Sequence, residues 1–439
     1  MSISKRQAVL GIIAIFVMFL PRNLSIAGMF SFRIFIISAA LLAFLLLGVG
    51  IKLSGLIRKP LFWAYLGIVS AVQFAHREYT TLLGNILDIL VLYVVLYSCL
   101  RSKNDMEFFI RIFLAVLILY SSICIIETLT GINPWTLLGV KVKTYNRYGL
   151  YRAFGSFTTS INNGSFLMLT FPLSWYAQRY FTDKRLSKVA IIFTWIALIC
   201  TLSRGPIIGA LLLNIIIVWK SGLLRFFKRN LLKVILALLI FSALMFIPAV
   251  RSATKSFFDM FFAIFDSSVA DEISGDFGGN ADGIGHRFML YSWVWEDLSG
   301  NYWFGKGALT PLHHLWMTSR GTLAIKQSIE NFYLSTLYHY GITGLLALIA
   351  FLIEESVSLF GKYRAERKES NLKIASDSWQ FRIFVTVLCY FGVLFTVSAV
   401  DDFKMFFILL ALSDAWRSIS LAAPADVNSQ KRLTHVQNT

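Results

Sequence analysis

Long apolar blocks recur along the whole chain and constrain its fold more than any other feature. The chain has 439 residues, of which 57% are hydrophobic and only 15% are charged, whereas soluble domains are about 25% charged. The blocks are roughly 17–22 residues long, the length that a helix needs to cross about 30 Å of hydrocarbon. A backbone inside a bilayer must satisfy its own hydrogen bonds, so the blocks are predicted to be helices. We therefore expect an all-α polytopic membrane protein.

The apolar pattern predicts about twelve transmembrane helices. They are 3–20, 32–50, 61–76, 82–100, 108–127, 163–180, 187–203, 206–219, 231–248, 331–355, 381–399 and 403–420. The first block is not expected to be a cleaved signal peptide, because no small-residue cleavage site follows it and a second span comes soon after.

If the predicted spans cross the membrane one after another, every second connection lies on the same side. Lysine and arginine are concentrated in one of these two sets of connections, and such an excess marks cytoplasmic loops. These connections hold 24 of the 41 basic residues. They are Lys5-Arg6, Lys52/Arg58/Lys59, Arg101/Lys103, Arg179/Lys184/Arg185/Lys188, Lys220/Arg225/Lys228/Arg229/Lys233, Lys362/Arg364/Arg367/Lys368/Lys373 and Arg417/Lys431/Arg432. Both termini are therefore expected in the cytoplasm. The net charge of +17 follows from this bias and from attraction to anionic lipid, so we expect no nucleic-acid partner.

This orientation divides the chain into four parts. Residues 1–248 would hold transmembrane helices 1–9, and residues 331–420 would hold helices 10–12. The polar residues 249–330 between them would form a large extracytoplasmic loop domain. The remaining residues, 421–439, would form a cytoplasmic tail.

The apolar stretch from Val189 to Trp219 could pass for one long span, but basic clusters flank both of its ends. Both ends should therefore lie in the cytoplasm, which requires the chain to cross outward and return. The turn is predicted at Ser203-Arg204-Gly205-Pro206. A charge at mid-membrane costs about 2.5–3.5 kcal/mol on insertion scales, so Arg204 is a candidate functional residue. The alternative is that Arg204 reaches out to lipid phosphate.

The predicted outer connection from Thr128 to Ser160 is basic, against the general bias. It carries Lys141, Lys143, Arg147 and Arg152 and contains no Asp or Glu. Uncompensated cations outside the membrane indicate an anionic ligand, such as pyrophosphate or an acidic sugar. Contact with lipid head groups is the alternative.

The loop domain is rich in aromatic residues set among Gly and Asp. They are Trp293, Trp295, Tyr302, Trp303 and Trp316. Aromatic faces flanked by carboxylates suit sugar rings, which stack through C–H faces while their hydroxyls donate hydrogen bonds. A belt of Trp and Tyr at the membrane interface has the same composition and remains the alternative.

The sequence favours no metal or cofactor site. Cys99, Cys124, Cys200 and Cys389 all fall in predicted spans without metal or disulfide spacing. Charges inside the spans are predicted to be few, with Asp88 and Glu127 as the main examples. A proton-coupled transporter usually carries more.

Five short motifs follow one another between about residues 145 and 345. They are Arg147 and Arg152-Ala153-Phe154-Gly155-Ser156-Phe157 with Asn162-Asn163-Gly164; Leu202-Ser203-Arg204-Gly205; Gly285-His286-Arg287 with Trp293; Trp303-Phe304-Gly305-Lys306-Gly307; and Glu330-Asn331 with Tyr333-Leu334, Gly341 and Gly344. In this order and in these topological positions they resemble the O-antigen ligase and O-antigen polymerase family of membrane glycosyltransferases.

The resemblance implies a GT-C-like, metal-independent glycosyltransferase without a cofactor, acting at the outer face of the bacterial inner membrane. Its donor would be a glycan on undecaprenyl diphosphate. Expected further partners are membrane lipids, a chain-length regulator and a flippase. The resemblance assigns Arg204 and Arg287 to the departing diphosphate, Glu330 to the acceptor proton, and Arg147, Arg152, Asn331, Tyr338, Trp293 and Trp303 to substrate binding.

Glu330 departs from the ligase pattern. Where this chain has Glu330, ligases carry a His that is thought to act as general base. A carboxylate can do the same work. The change favours a polymerase of lipid-linked repeat units over a ligase that transfers polymer to lipid A-core. A polysaccharide flippase would also fit twelve spans, but it would not need the outer loop domain.

Overall fold

The structure is a computed structural model, and it describes residues 3–21, 24–26, 29–52, 55–140, 146–147, 150–244, 246, 251, 284–317, 323–326, 329–369, 377–397 and 403–436. These residues are mostly helical, as predicted. Three short antiparallel hairpins amend the all-α expectation: β1 (Ser25–Ile26) with β2 (Met29–Phe30), β3 (Asn146–Arg147) with β4 (Leu150–Tyr151), and β5 (His314–Met317) with β6 (Leu323–Lys326). All of them lie between helices, where the backbone needs partners other than a helical turn.

The α-helices are α1 (Lys5–Phe19), α2 (Ser31–Leu41), α3 (Pro60–Ala75), α4 (Tyr79–Ile86), α5 (Leu92–Cys99), α6 (Lys103–Thr130), α7 (Ser160–Tyr180), α8 (Arg185–Cys200), α9 (Arg204–Leu244), α10 (Ile284–Asp297), α11 (Phe332–Glu369), α12 (Trp379–Val393) and α13 (Phe403–Val436). A π-helical turn, Leu87–Val91, joins α4 to α5, and another, Leu42–Leu46, continues α2. The 3₁₀ turns are Gly55–Arg58, Pro134–Leu138 and Leu394–Thr396.

The predicted spans fall in helical segments of the described part of the chain, but 206–219 and 231–248 lie in one helical element, α9, which is interrupted at Gly222. Five helical segments there are long and apolar enough to cross a membrane by length and composition: Tyr79–Cys99, Lys103–Thr130, Arg204–Gly222, Phe332–Glu369 and Trp379–Thr396. The count of twelve stays a prediction, because the other helices are shorter or less apolar. Two of these, Arg33–Leu46 and Pro60–Ala75, are apolar but shorter than 18 residues.

Two long helices are broken at glycines. Gly222 (φ 91°) interrupts α9, and Gly341 (φ 70°) interrupts α11. Glycine adopts positive φ without the steric cost that a Cβ brings, so both breaks occur where the chain can bend cheaply. The break in α11 contacts the segment Trp303–Gly307.

Side-chain contacts sort the helix ends into two opposite groups that match the predicted alternation. The first group contains the pairs Arg6–Asp105, Lys59–Glu355, Lys362–Asp414, Arg179–Asp377 and Arg417–Glu369. The second contains Arg33–Asp88, Trp135 with the carbonyl of Phe19, and Arg152 with Ser203. We call the second group the Arg204 end and the first the basic end. Segments predicted on the same side of a membrane therefore contact one another.

Buried charge is more abundant than the sequence suggests, and the expectation that Asp88 and Glu127 dominate is wrong. Lys59 Nζ lies 2.6 Å from Glu355 Oε1, and Glu355 is fully buried. Lys362 pairs with buried Asp414. Burying an ion is tolerated when an opposite charge and hydrogen bonds accompany it. The sequence hides these pairs because their members lie on different helices.

Cysteine labelling tests the hairpin formed by α8 and α9. Leu137 (85% exposed) lies at the Arg204 end, and Lys220 is exposed at the basic end. Three predicted spans separate them, so they should face opposite sides of the membrane. In a chain whose native cysteines are replaced, a membrane-impermeant maleimide should label Leu137→Cys in outer-membrane-permeabilised cells and Lys220→Cys only after lysis. Labelling of both from one side would contradict the hairpin, because a single span through this stretch leaves an even number of crossings.

Candidate functional site

The turn predicted between two spans is present at the Arg204 end. Helix α8 ends at Cys200, and α9 begins at Arg204 after a turn in which Leu202 has φ 49°. Ser203 is only 2% exposed, so the tip of the hairpin is covered rather than open to solvent. Arg204 itself is half-buried in the first turn of α9.

The connection between α6 and α7 covers this turn. Arg152 donates from Nε to the carbonyl of Thr201 (3.2 Å) and from Nη2 to Ser203 Oγ (3.0 Å). The backbone N–H of Ala153 donates to the carbonyl of Cys200 at 3.0 Å. These bonds hold Arg152 against Ser203, the residue that precedes Arg204, and its predicted substrate role stays a prediction. Arg147 lies in β3, and its side chain lies outside the described residues, so its assignment stays a prediction.

Glu127, near the end of α6, binds the same connection through its carboxylate. Its carboxylate accepts hydrogen bonds from the N–H groups of Phe154 (3.1 Å) and Gly155 (2.9 Å) and from Asn133 Nδ2 (2.7 Å). Gly155 has φ +57°, and a Cβ there would lie 2.0 Å from Tyr120 Oη. Three hydrogen-bond donors of this connection thus satisfy the carboxylate of Glu127. Glu127 therefore stabilises the loop that carries Arg152.

The second half of the site is the start of α11. Asn331 caps this helix, because its Oδ1 accepts from the N–H of Leu334 at 3.1 Å. Its Nδ2 donates to Tyr291 Oη at 3.0 Å, which ties the cap to α10. Glu330 precedes the cap and is half-buried. Asn331 therefore has a structural role in addition to the predicted sugar contact, and Glu330 is not the helix cap.

The motif Trp303–Gly307 is locked into the break of α11. The N–H groups of Lys306 and Gly307 donate to the carbonyls of Tyr338 and His339, both at 3.0 Å. In return, the N–H of Ile342 donates to the carbonyl of Tyr302 at 2.8 Å. Two of the five motifs that the sequence shows separately are thus one structural unit. The unit is possible because the broken helix exposes backbone groups that a regular helix would use internally.

Glycines permit this close contact. A Cβ at Gly341 would lie 2.2 Å from the carbonyl oxygen of Trp303, and one at Gly305 would lie 2.4 Å from the carbonyl carbon of His339. Both residues also have positive φ, +70° and +69°. Neither position can therefore accept a side chain without moving a backbone.

We expect Gly341→Ala to destabilise the protein by at least about 1–3 kcal/mol, from the positive φ alone. The clash with Trp303 adds to that cost. The matched control is Gly361→Ala in the same helix, where a Cβ would meet nothing within 4 Å and where alanine should stabilise by about 0.5–1 kcal/mol. Thermal unfolding of the purified variants measures the difference. Equal melting temperatures for the two variants would contradict the lock.

Glu78 fastens the same unit to the turn between α3 and α4. Its carboxylate accepts from the N–H groups of Ala308 (2.9 Å) and Leu309 (2.8 Å) and is 6% exposed. A lone Glu in a short turn is ordinary, so sequence reasoning missed this residue. Only the contact with a segment 230 residues away identifies it.

Tyr338 is buried and its hydroxyl contacts two residues of the predicted loop domain. Its hydroxyl donates to Asp297 Oδ2 at 2.6 Å and approaches the carbonyl of Pro311 at 3.1 Å, while Lys306 Nζ lies 2.7 Å from Asp297 Oδ1. Burial alone would raise the pKa of Asp297, but hydrogen bonds from Lys306 and Tyr338 and the lysine charge hold that pKa below its usual value. The described contacts of Tyr338 are internal, and its predicted contact with sugar stays untested.

The two tryptophans assigned to substrate differ in exposure. Trp293 is 8% exposed and stacks on His314 with ring centroids 4.5 Å apart. Trp303 is 65% exposed and is fixed by the locked backbone on which it stands. Trp303 can therefore offer a face to a sugar, whereas Trp293 packs inside the loop domain. The side chain of Arg287, in α10, lies outside the described residues.

The Arg204 turn and the start of α11 pack against one common segment, the end of α12 and the 3₁₀ turn Leu394–Thr396 that follows it. A Cβ at Gly205 would lie 2.2 Å from Thr396 Oγ1. The ring centroids of Tyr333 and Phe395 lie 4.5 Å apart at a tilted angle, and Tyr333 donates from Oη to the carbonyl of Phe391 at 2.9 Å. The residue after Arg204 and the first turn of α11 thus both contact the segment Phe391–Thr396. Within the described residues, no group of three or more His, Cys, Asp and Glu is arranged to hold a metal ion.

No curated protein matches the chain. Residues 189–349, however, match the family described as O-antigen ligase. The matched segment begins in α8 and ends in α11, so it contains the Arg204 turn, the loop domain and Glu330. Four of the five motifs lie in this segment, over which the resemblance inferred from the sequence is confirmed: residues 189–349 match the O-antigen ligase family.

Proposed function

We propose that this chain is a polysaccharide polymerase that joins undecaprenyl-diphosphate-linked oligosaccharide repeat units on the outer side of the bacterial inner membrane. The observation that carries the proposal is the convergence of the Arg204 turn and the start of α11 on the segment Phe391–Thr396. This convergence supports a site in which Arg204 supplies a cation and Glu330 supplies a carboxylate. A glycosyl transfer from a lipid diphosphate requires both, one for the leaving group and one for the acceptor proton.

In the proposed step, a hydroxyl oxygen of the acceptor sugar forms a bond to the anomeric carbon of the donor glycan. The bond between that carbon and the diphosphate oxygen breaks, and the electron pair leaves with undecaprenyl diphosphate. Glu330 accepts the hydroxyl proton as general base and later releases it to water. Arg204, with Arg287 and Arg152, stabilises the negative charge that develops on the diphosphate. Metal independence is part of this proposal, because the arginines supply the positive charge.

The geometry supports different tasks for the other predicted residues. Exposed Trp303 would stack on a sugar ring, with Trp293 supporting the loop domain that presents it. Asn331 and Tyr338 would orient sugar chiefly by holding α10 and α11 together. Arg147 would widen the basic surface next to Arg152. The proposed partners are undecaprenyl-diphosphate-linked glycans, membrane lipids, a chain-length regulator and a flippase.

The proposed architecture is a GT-C-like bundle of about twelve transmembrane helices with cytoplasmic termini. Residues 1–248 and 331–420 would form the bundle, 249–330 the outer loop domain, and 421–439 a cytoplasmic tail. The basic end would face the cytoplasm, because Lys and Arg favour that side, and the Arg204 end would face outward. This places the proposed reaction where lipid-linked glycans are extended.

An O-antigen ligase is the second candidate, because the family that matches residues 189–349 is described by that name. A ligase would use the same donor but transfer it to lipid A-core. Glu330 in place of the histidine of ligases favours the polymerase. The surface polysaccharide of a deletion strain decides between them: loss of a polymerase should leave core capped by a single repeat unit, whereas loss of a ligase should leave bare core and accumulated lipid-linked polymer. Unchanged polysaccharide would overturn both.

A further inference from the structure

Two connections at the basic end are joined by direct hydrogen bonds. The N–H of Lys52, in the connection between α2 and α3, donates to Ser98 Oγ near the end of α5 at 2.9 Å. Arg101, between α5 and α6, donates from Nε to the carbonyl of Ser98 at 3.0 Å and from Nη2 to the carbonyl of Gly50. Lys52 and Arg101 are therefore neighbours, although they lie on different connections.

The start of α1 joins the same place through Asp105, which is buried. The Oδ2 atom of Asp105 accepts from the N–H groups of Arg101 (3.3 Å) and Ser102 (3.1 Å) and lies 3.6 Å from Arg6 Nη2. Among the described residues, no other carboxylate pairs with Arg6, and none pairs with the side chain of Lys52 or Arg101. We call Arg6, Lys52 and Arg101 the Lys52 cluster.

Positive charge exceeds negative charge in the Lys52 cluster, because three cations share one carboxylate. Burial lowers the pKa of Lys52, and the charges of Arg101 and Arg6 lower it further. The three cations are thus close enough to repel one another. The ammonium of Lys52 lies 5.9 Å from the ring centroid of Tyr97, and this contact adds no negative charge. An anion bound between the cations would relieve the repulsion and accept their hydrogen bonds.

Exposed apolar side chains lie next to the Lys52 cluster. Ile51 directly precedes Lys52, Leu46 ends the π-helical turn that continues α2, and Ile3 lies just before α1; all three are exposed. They stand where the predicted spans 3–20 and 32–50 end, the depth at which hydrocarbon gives way to lipid head groups. A ligand at this place therefore meets cations and an apolar surface together. A free phosphate ion would use only the cations.

We infer that the Lys52 cluster binds the phosphate of an anionic phospholipid in the leaflet that the basic end faces. Lys52 and Arg101 would donate hydrogen bonds to non-bridging phosphate oxygens, and Arg6 would add its charge from α1. Ile51 and Leu46 would lie against the acyl chains. The ligand class is a phosphodiester with acyl chains, such as cardiolipin or phosphatidylglycerol. The inference goes beyond the proposed function, because glycosyl transfer at the Arg204 end does not require this lipid.

The test is binding of cardiolipin to the full chain in detergent, measured by native mass spectrometry, with phosphatidylcholine as the comparison that carries no net charge. Lys52→Gln removes one cation. We expect it to weaken binding of cardiolipin about fivefold, the usual contribution of one basic residue near an anionic lipid surface, and to leave binding of phosphatidylcholine unchanged. Lys52→Arg keeps the charge and should keep most of the affinity. If Lys52→Gln does not fold, Lys52→Met repeats the measurement.

Lys220→Gln is the matched control. Lys220 is also exposed at the basic end, and its Nζ likewise lies near an aromatic ring, 4.7 Å from the centroid of Trp219. It stands on α9, which packs on α7, α8 and α12 and not on the three connections that form the Lys52 cluster. The substitution removes the same charge and the same kind of contact, so the affinity for cardiolipin should not change.

Four results would overturn the inference. The unaltered chain could bind cardiolipin no better than phosphatidylcholine, or folded Lys52→Gln could bind cardiolipin like the unaltered chain. Equal weakening by Lys52→Gln and Lys220→Gln would mean that overall charge, and not the Lys52 cluster, attracts the lipid. Displacement of cardiolipin by an equal concentration of inorganic phosphate would identify free phosphate as the ligand. None of these measurements involves glycosyl transfer, so the proposed function stands or falls separately.

Discussion

Arg204→Ala is expected to lower glycosyl transfer about 100- to 1,000-fold, the usual effect of losing one group that stabilises developing charge. The physical reason is the position of Arg204, half-buried in the first turn of α9 beside Arg152. A charge held in a poorly solvated place acts more strongly on a departing diphosphate than one in water. Arg204→Lys should also fail badly if the contact is bidentate, because lysine lacks the planar fork.

The measurement is the amount and length of polysaccharide made by a deletion strain that expresses each variant at wild-type level. Arg185→Ala is the matched control, because Arg185 is likewise the first residue of a helix, α8, but is exposed at the basic end. It should support normal polymer. Near-normal polymer from Arg204→Ala would rule out its role, and activity that EDTA abolishes would contradict the metal-independent mechanism.

Glu330→Gln should reduce polymer formation about 100- to 10,000-fold, the range that a positioned general base contributes. Glutamine has nearly the same shape but cannot accept the acceptor proton. A normally folded variant should therefore accumulate unpolymerised lipid-linked repeat units, visible in extracted lipids. The effect would not come from a lost helix cap, because Asn331 is the residue that caps α11.

The same substitution elsewhere in the loop domain provides the control. Glu296 is exposed near the end of α10, so Glu296→Gln should leave polymer length and amount unchanged. Wild-type polymer from Glu330→Gln would end the assignment of Glu330 as base. A melting temperature close to that of the unaltered chain distinguishes loss of proton transfer from loss of folding.

The sequence alone determined the helical segments and the position of the turn between α8 and α9. Apolar blocks coincide with helices throughout the described residues because a backbone in hydrocarbon must bond to itself, which is a property of each segment separately. The basic flanks of Val189 to Trp219 located the α8–α9 turn for the same local reason. The order of the motifs is likewise visible without a structure, and the four motifs after residue 189 lie in the segment that matches the O-antigen ligase family.

Only the tertiary structure decided what the motifs do to one another. Trp303–Gly307 and Gly341 form one structural unit through backbone hydrogen bonds, and Glu127 and Glu78 each hold a distant loop by accepting hydrogen bonds from its N–H groups. These relations join residues tens to hundreds of positions apart. They depend on which helix ends lie side by side. Hydrophobic periodicity does not specify the neighbours of a helix, because every span must be apolar whichever helices it packs against. Packing and the few glycines that allow backbones to touch select the neighbours.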